Sequence, residues 1–178
     1  MATPNPQTDE EARALMHRLI KTYSAASPRD NFDNAFNRAA ACTAASLETA
    51  TTAAKATVAF TIPPGLYGNN PASPTGASSV HGGAIATFFD NSTSLPMLAV
   101  LPGKRWAGGF SGVTRNLSVT YFRPAHAGEA VVIEAEVVQC GKRNATISGV
   151  LRRVRDGVVL AMCRHDKVRL EGGEGFKL

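Results

Sequence analysis

Residues 80–97 hold one histidine and one carboxylate in a segment that otherwise carries no charge, and the rest of the chain has to bury it. Ile85, Phe88, Phe89 and Ser92 recur at helical spacing, Ser78 and Ser79 stand where a cap is expected, and Gly82 opens the run. The spacing predicts a helix from about Gly82, kinked or stopped near Pro96, because proline lacks the N–H a helix interior needs. Asp90 lies next to Phe88 and Phe89. A carboxylate among phenylalanines is costly unless it is paired, protonated or put to use, so Asp90 is the first candidate site residue.

What covers this helix is legible in the order of the chain. Thr8 and Glu11 have the spacing of a capping box, and Ala12, Leu15, Met16, Leu19, Ile20 and Tyr23 follow on one helical face, which predicts a helix over 9–26. From Phe32 to Lys55 alanine favours helix and threonine favours strand, so propensity leaves both open. Val58, Phe60 and Ile62 alternate with Thr57, Ala59 and Thr61 as a strand. Leu66 to Ser79 reads as a long loop leading into the central helix, and Leu101-Pro102-Gly103-Lys104 as a turn after it. The remainder alternates as strands: Leu117 to Tyr121, Val131 to Val137, Thr146 to Val154 and Val158 to Val168. Asp156-Gly157 predicts a two-residue hairpin between the last two. A curved antiparallel sheet wrapped around the central helix is the economical way to bury both.

Bulk properties narrow the function classes. A chain of 178 residues builds one core without staples, and the three cysteines, Cys42, Cys140 and Cys163, are odd in number and lack CxxC spacing, so they read as reduced thiols. No apolar run reaches the ~18 residues of a membrane span. Met1 to Glu11 carries acids and prolines rather than a basic, apolar leader, which makes the cytoplasm the expected compartment, with mitochondrion and peroxisome left open. The net charge of +5 permits an anionic partner without choosing one. No metal-ligand spacing and no basic stretch interleaved with aromatics is present, so neither a metal nor a nucleic acid is expected.

The site chemistry starts from Gly82 and Gly83, whose amides at a helix start can donate to an oxyanion. Asp90 lies eight residues past Gly82, about 12 Å along a helix, whereas both groups must meet one carbonyl within roughly 3 Å. If this is an acyl-transfer site, amides of one subunit face Asp90 of another. The alternative is structural: glycines that permit close packing, and an acid that bonds a nearby amide. Asn69, Asn70 and Thr114 can orient a water or Asp90, although turn formation and strand propensity explain them equally well.

His81-Gly82-Gly83 followed by Asp90, then Asn116 to Ala125, Gly128-Glu129, Gly141-Lys142 and Arg164-His165, resembles the hotdog-fold acyl-CoA thioesterases of the phenylacetate-pathway and thioesterase-superfamily-member-2 type over about Phe32 to Leu170. The resemblance implies an α+β hotdog fold with an antiparallel sheet around a central helix, a homodimer or dimer of dimers, and hydrolysis of an acyl-CoA. It places a short helix and then a strand after Phe32. Residues 1–31 become an N-terminal helical extension, 32–170 the hotdog domain and 171–178 a flexible tail. Gly82 would polarise the thioester carbonyl, the partner's Asp90 would activate water or attack, and His81 would fix the loop or the carbonyl. The family's asparagine upstream of the histidine has no match at its expected offset, where Thr75 stands, so Asn69 or Asn70 would have to reach in. Thr114 falls where a serine partners the acid in some members. Lys142, Arg143, Arg164 and Lys167 would meet the phosphates of coenzyme A, and Phe89 can line the acyl tunnel. No cofactor is implied beyond the coenzyme A of the substrate. A non-catalytic acyl-CoA binding or regulatory protein on the same scaffold is the alternative.

Overall fold

Thr8 and Glu11 close the reciprocal box their spacing predicts: the Glu11 N–H donates to Thr8 Oγ1 at 3.2 Å and the Thr8 N–H to Glu11 Oε2 at 3.3 Å. The helix they start, α1 (Asp9–Ala26), buries Ala12, Met16 and Ile20. The computed structural model describes residues 8–26, 34–48, 53–62, 79–100 and 111–169. The loop from Leu66 to Ser78, with Asn69, Asn70 and Thr75, the turn at Leu101 to Lys104 and the tail at 171–178 lie outside them.

The ambiguous stretch after Phe32 resolves as a short helix, α2 (Asn34–Ala39), followed by strand β1 (Ala41–Glu48). Lys21 of α1 donates to the carbonyls of Arg38 and Ala40 at 3.1 and 2.9 Å, satisfying acceptors that a helix end leaves open. Strand β2 (Ala53–Thr61) precedes helix α3 (Gly82–Val100), and β3 (Val113–Tyr121), β4 (Ala130–Cys140), β5 (Asn144–Arg153) and β6 (Val159–Val168) follow. The described strands form one sheet in the order β1-β2-β4-β5-β6-β3, every pair antiparallel. The sheet wraps α3, as expected of a hotdog fold.

One local expectation is narrowed and one corrected. Of a kink or a stop near Pro96, the stop does not occur, since the helix runs on to Val100. The ring fixes φ near a helical value, so its cost is one missing hydrogen bond and the crowding of a carbonyl in the preceding turn, and Pro96 lies in a buried stretch where packing on the sheet offsets that loss. Asp156-Gly157 is not a two-residue hairpin either. Arg153 N–H donates to Val158 O at 3.0 Å and Gly157 N–H to Arg153 O at 2.9 Å, closing a four-residue loop with Gly157 at φ 68°. Asp156 selects that loop by accepting from Arg153 Nε at 3.0 Å and from the Val158 N–H at 3.2 Å. The same guanidinium holds the Asp156 carboxyl down at about 2.

The core divides along α3. Phe36, Phe60 and Phe88 meet with ring centroids 4.9 to 5.2 Å apart. Past them, Gly149 lets α3 approach β5, since a Cβ there would lie 2.8 Å from Cys163 Sγ and 3.0 Å from both Phe89 and Thr93. That approach sets the helix against β6 at Asp90.

Candidate active site

Period-two alternation from Leu117, Val119 and Tyr121 puts Arg115 on their face of β3 and Thr114 on the other. The register against β6 slips instead: Thr114 pairs with Lys167 and Asn116 with Asp166, leaving Arg115 as an extra residue. This bulge turns Thr114 toward α3. Its Oγ1 then lies 2.7 Å from Asp90 Oδ1 and 2.9 Å from His165 Nε2, and that nitrogen is 3.2 Å from Asp90 Oδ1.

The opposite ring nitrogen of His165, Nδ1, is 2.6 Å from Thr93 Oγ1, and Thr93 donates to the Phe89 carbonyl at 2.6 Å. Asp90 is thus the open end of a polar chain that runs into the core: its side chain is 43% exposed while that of His165 is 0%. Burial pushes the imidazole down to about 4, helped by the Lys167 charge and opposed by Asp90 and Asp166. Lys167 is itself buried, which lowers its ammonium despite the nearby Asp90 charge. Burial pushes the neighbouring Cys163 thiol up to about 12, so it stays neutral.

At the start of α3 the Gly83 N–H donates to His81 Nδ1 at 3.0 Å, and the N–H groups of Ala84 and Ile85 donate to His81 O. The expected pair of donors narrows to Gly82, whose N–H meets no acceptor among the described residues. Accepting at Nδ1 leaves the exposed His81 ring its proton on Nε2 when neutral. Tyr121 of β3 donates to the Gly82 carbonyl at 2.8 Å and so fixes the peptide that follows the free amide.

Of the sequence candidates, Asp90 and Thr114 come together, and His81, Gly82 and Gly83 form a second group about two turns or more up the same helix. Phe89 is fully buried against Gly149 and Thr93. Lys142 and Arg143 sit exposed in the β4–β5 turn. Arg164 stands on the other face of β6 from His165, 3.3 Å from Asp166, and lines a groove of about 370 Å³ with Arg115, Asn116, Asn144 and Thr146. Asn69 and Asn70 lie outside the described residues. No group of three metal-type ligands gathers among the described residues.

Sequence reasoning gave no role to His165, Thr93 or Tyr121. For His165 a signal existed: it shares strand parity with the buried Ala161 and Cys163, and a histidine on the core side of a strand calls for partners.

Comparison with known proteins agrees with this architecture. Residues 77–160 match the model of the thioesterase superfamily. Human acyl-coenzyme A thioesterase 13 is 35% identical over 89 residues, which cover 50% of this chain and 59% of that relative, so the match spans less than two thirds of its length. The zebrafish thioesterase superfamily member 2 structure superposes with a TM-score of 0.63 at 21% identity, over 92% of this chain and 99% of that one. A Streptococcus mutans protein bound to acetyl-CoA superposes with a TM-score of 0.51 at 17% identity, over 64% and 80% of the two chains. The resemblance read from the sequence holds over residues 77–160, and the fold is the hotdog fold.

Proposed function

We propose that this chain, a hotdog-fold protein whose residues 77–160 match the thioesterase superfamily, hydrolyses acyl-CoA thioesters to the free acid and coenzyme A. The observation that carries the reading is the Asp90–Thr114 contact of 2.7 Å at the solvent-exposed end of the His165 network. It holds a carboxylate oriented and wet, which a general base for water requires. The free Gly82 amide at the positive end of α3 is suited to the oxyanion, and His81 Nε2–H can donate to the same carbonyl.

The site is shared between two copies. Eight residues of helix separate Gly82 from Asp90 by about 12 Å, too far for one carbonyl. Strand β3 is one of the sheet's two outer strands, bonded among the described residues only to β6, with Val113 and Tyr121 exposed along it. Nine residues of edge with no further strand beside them among the described residues invite a second β3, which would bring Gly82 of one copy toward Asp90 of the other. Lys142, Arg143 and Arg164 are exposed cations for the phosphates of the coenzyme. Acyl-coenzyme A thioesterase 13 and the acetyl-CoA-bound relative point to this substrate class.

Thiol release over short, long and aryl acyl-CoAs tests the activity. Subunit mixing tests the shared site. Gly82→Pro removes the amide hydrogen at a first helical position, where the ring suits the backbone and its Cβ, 3.3 Å from the Tyr121 ring, needs that side chain to give by a few tenths of an ångström, and Asp90→Asn removes the base. Each variant alone is inactive. Refolded together, they regain about a quarter of the wild-type rate, because half the dimers are mixed and one of the two sites in each is intact. No recovery would place both groups of a working site in one chain and end the shared-site reading.

A further inference from the structure

Thr93 fixes a proton. Its Oγ1 makes two contacts of 2.6 Å, to the Phe89 carbonyl oxygen and to His165 Nδ1, and contacts this short each hold a hydrogen. A carbonyl has none to give and a hydroxyl has one, which goes to Phe89. The hydrogen in the other contact therefore belongs to the imidazole, and the neutral ring is the Nδ1–H tautomer with its lone pair on Nε2.

That lone pair faces Thr114 Oγ1 at 2.9 Å and Asp90 Oδ1 at 3.2 Å, and the same hydroxyl lies 2.7 Å from Asp90 Oδ1. With Asp90 ionised, the three atoms hold one hydrogen, that of Thr114, for two acceptors. The cluster is one proton short, and a second proton satisfies both acceptors. Such a site is built to receive a proton.

We propose that His165 is a positioning residue for Asp90: held by Thr93 as the Nδ1–H tautomer, it offers Nε2 as the acceptor for the proton that Asp90 takes from the attacking water, and the pair keeps that proton until the thiolate leaves. This rests on the reading of Asp90 as a hydrolytic base. The water O–H breaks as its oxygen bonds the thioester carbon, and the proton passes to Asp90 Oδ1 against Nε2. Collapse of the tetrahedral intermediate breaks the C–S bond with its electron pair on sulfur. The stored proton goes to that thiolate, restoring the carboxylate and the neutral ring.

Among the described residues the groups that face His165 are few. Asp90 comes from α3, Cys163 and Lys167 share its face of β6, and the paired residues across β5 and β3 are the apolar Ile147 and Leu117. Asp166 acts from the other face of the strand. Cys163 stays neutral, so the neighbours able to alter the proton count are Asp90 and the buried Lys167, whose positive charge disfavours a free imidazolium.

Ring nitrogen correlations on the full, 15N-labelled chain test this without turnover. Near neutral pH the wild-type His165 ring gives the Nδ1–H pattern. Thr93→Val turns it to Nε2–H, which then occupies the carboxylate, and kcat falls about tenfold at unchanged KM. Thr93→Ser restores both. The wild-type Nε2 signal also titrates in a step that Asp90→Asn abolishes, because the asparagine amide supplies the missing hydrogen. A wild-type Nε2–H ring, or a Thr93→Val ring still in the Nδ1–H form with full kcat, overturns the tautomer lock. Identical titrations in wild type and Asp90→Asn overturn the shared proton. An inactive chain with the expected ring states refutes the thioesterase reading alone, whereas an active chain with the Nε2–H ring refutes only this inference.

Discussion

Phe88 and Asp90 are two residues apart on α3 and face unlike neighbourhoods. Phe88 enters a cluster with Phe36 and Phe60 in which shape and apolar area decide the contacts. Asp90 enters a chain of Thr114, His165 and Thr93 in which every hydrogen has a place. One helix thus carries an anchor that needs volume and a site that needs proton count. Stability and chemistry should separate when the two are mutated.

Asp90→Asn gives the largest effect expected: thioester hydrolysis falls on the order of 10²- to 10⁴-fold, while the thermal midpoint moves little because an amide NH2 in the place of Oδ1 still bonds the Thr114 hydroxyl, now as the donor. Phe88→Ala does the reverse. It costs about 3–5 kcal/mol in denaturant unfolding, with kcat per folded molecule close to wild type. Equal losses of activity in the two variants would show that the faces of α3 are coupled and break the contrast. Thr114→Val keeps the shape and removes the hydroxyl, which lowers kcat about 10- to 100-fold, corresponding to about 1.5–3 kcal/mol for a hydrogen bond to a charged group.

The smallest effect is in pH. His165 has its folded value lowered from 6.5 to about 4, so below 6.5 the unfolded chain binds a proton that the folded chain refuses. Stability is therefore lost as pH falls from about 6.5 toward 4, on the order of 1 kcal/mol for the first unit below 6.5. Urea midpoints for wild type and His165→Gln check it: the glutamine variant should lack this component of the slope. The Phe88 cluster, without titratable groups, contributes nothing to it.

Much of the fold was legible because it depends on residues near each other in sequence. The capping box at Thr8, the alternation of Val131 to Val137 and the helical spacing from Ile85 each report a local period. Asp90 was legible as an acid in an apolar run. The bulge was not: Thr114 could be named as a hydroxyl able to orient Asp90, but the alternation of Leu117 and Val119 points it away from the site. The two glycines looked equivalent until His81 took the Gly83 amide. Pro96 misled for a related reason, since a local penalty was set against packing that local reasoning does not see.

By itself the sequence determined that α3 must be wrapped by strands, that a lone carboxylate would sit on it, and that two glycines would open it, because periodicity, charge and backbone freedom are properties of the residues in order. The tertiary structure decided which hydroxyl reaches Asp90, which glycine amide meets no acceptor among the described residues, and which tautomer His165 adopts. The hydroxyl and the tautomer depend on a one-residue slip in register and on contacts across 51 and 72 positions of chain, to Thr114 and Thr93, which form only when the sheet closes on the helix.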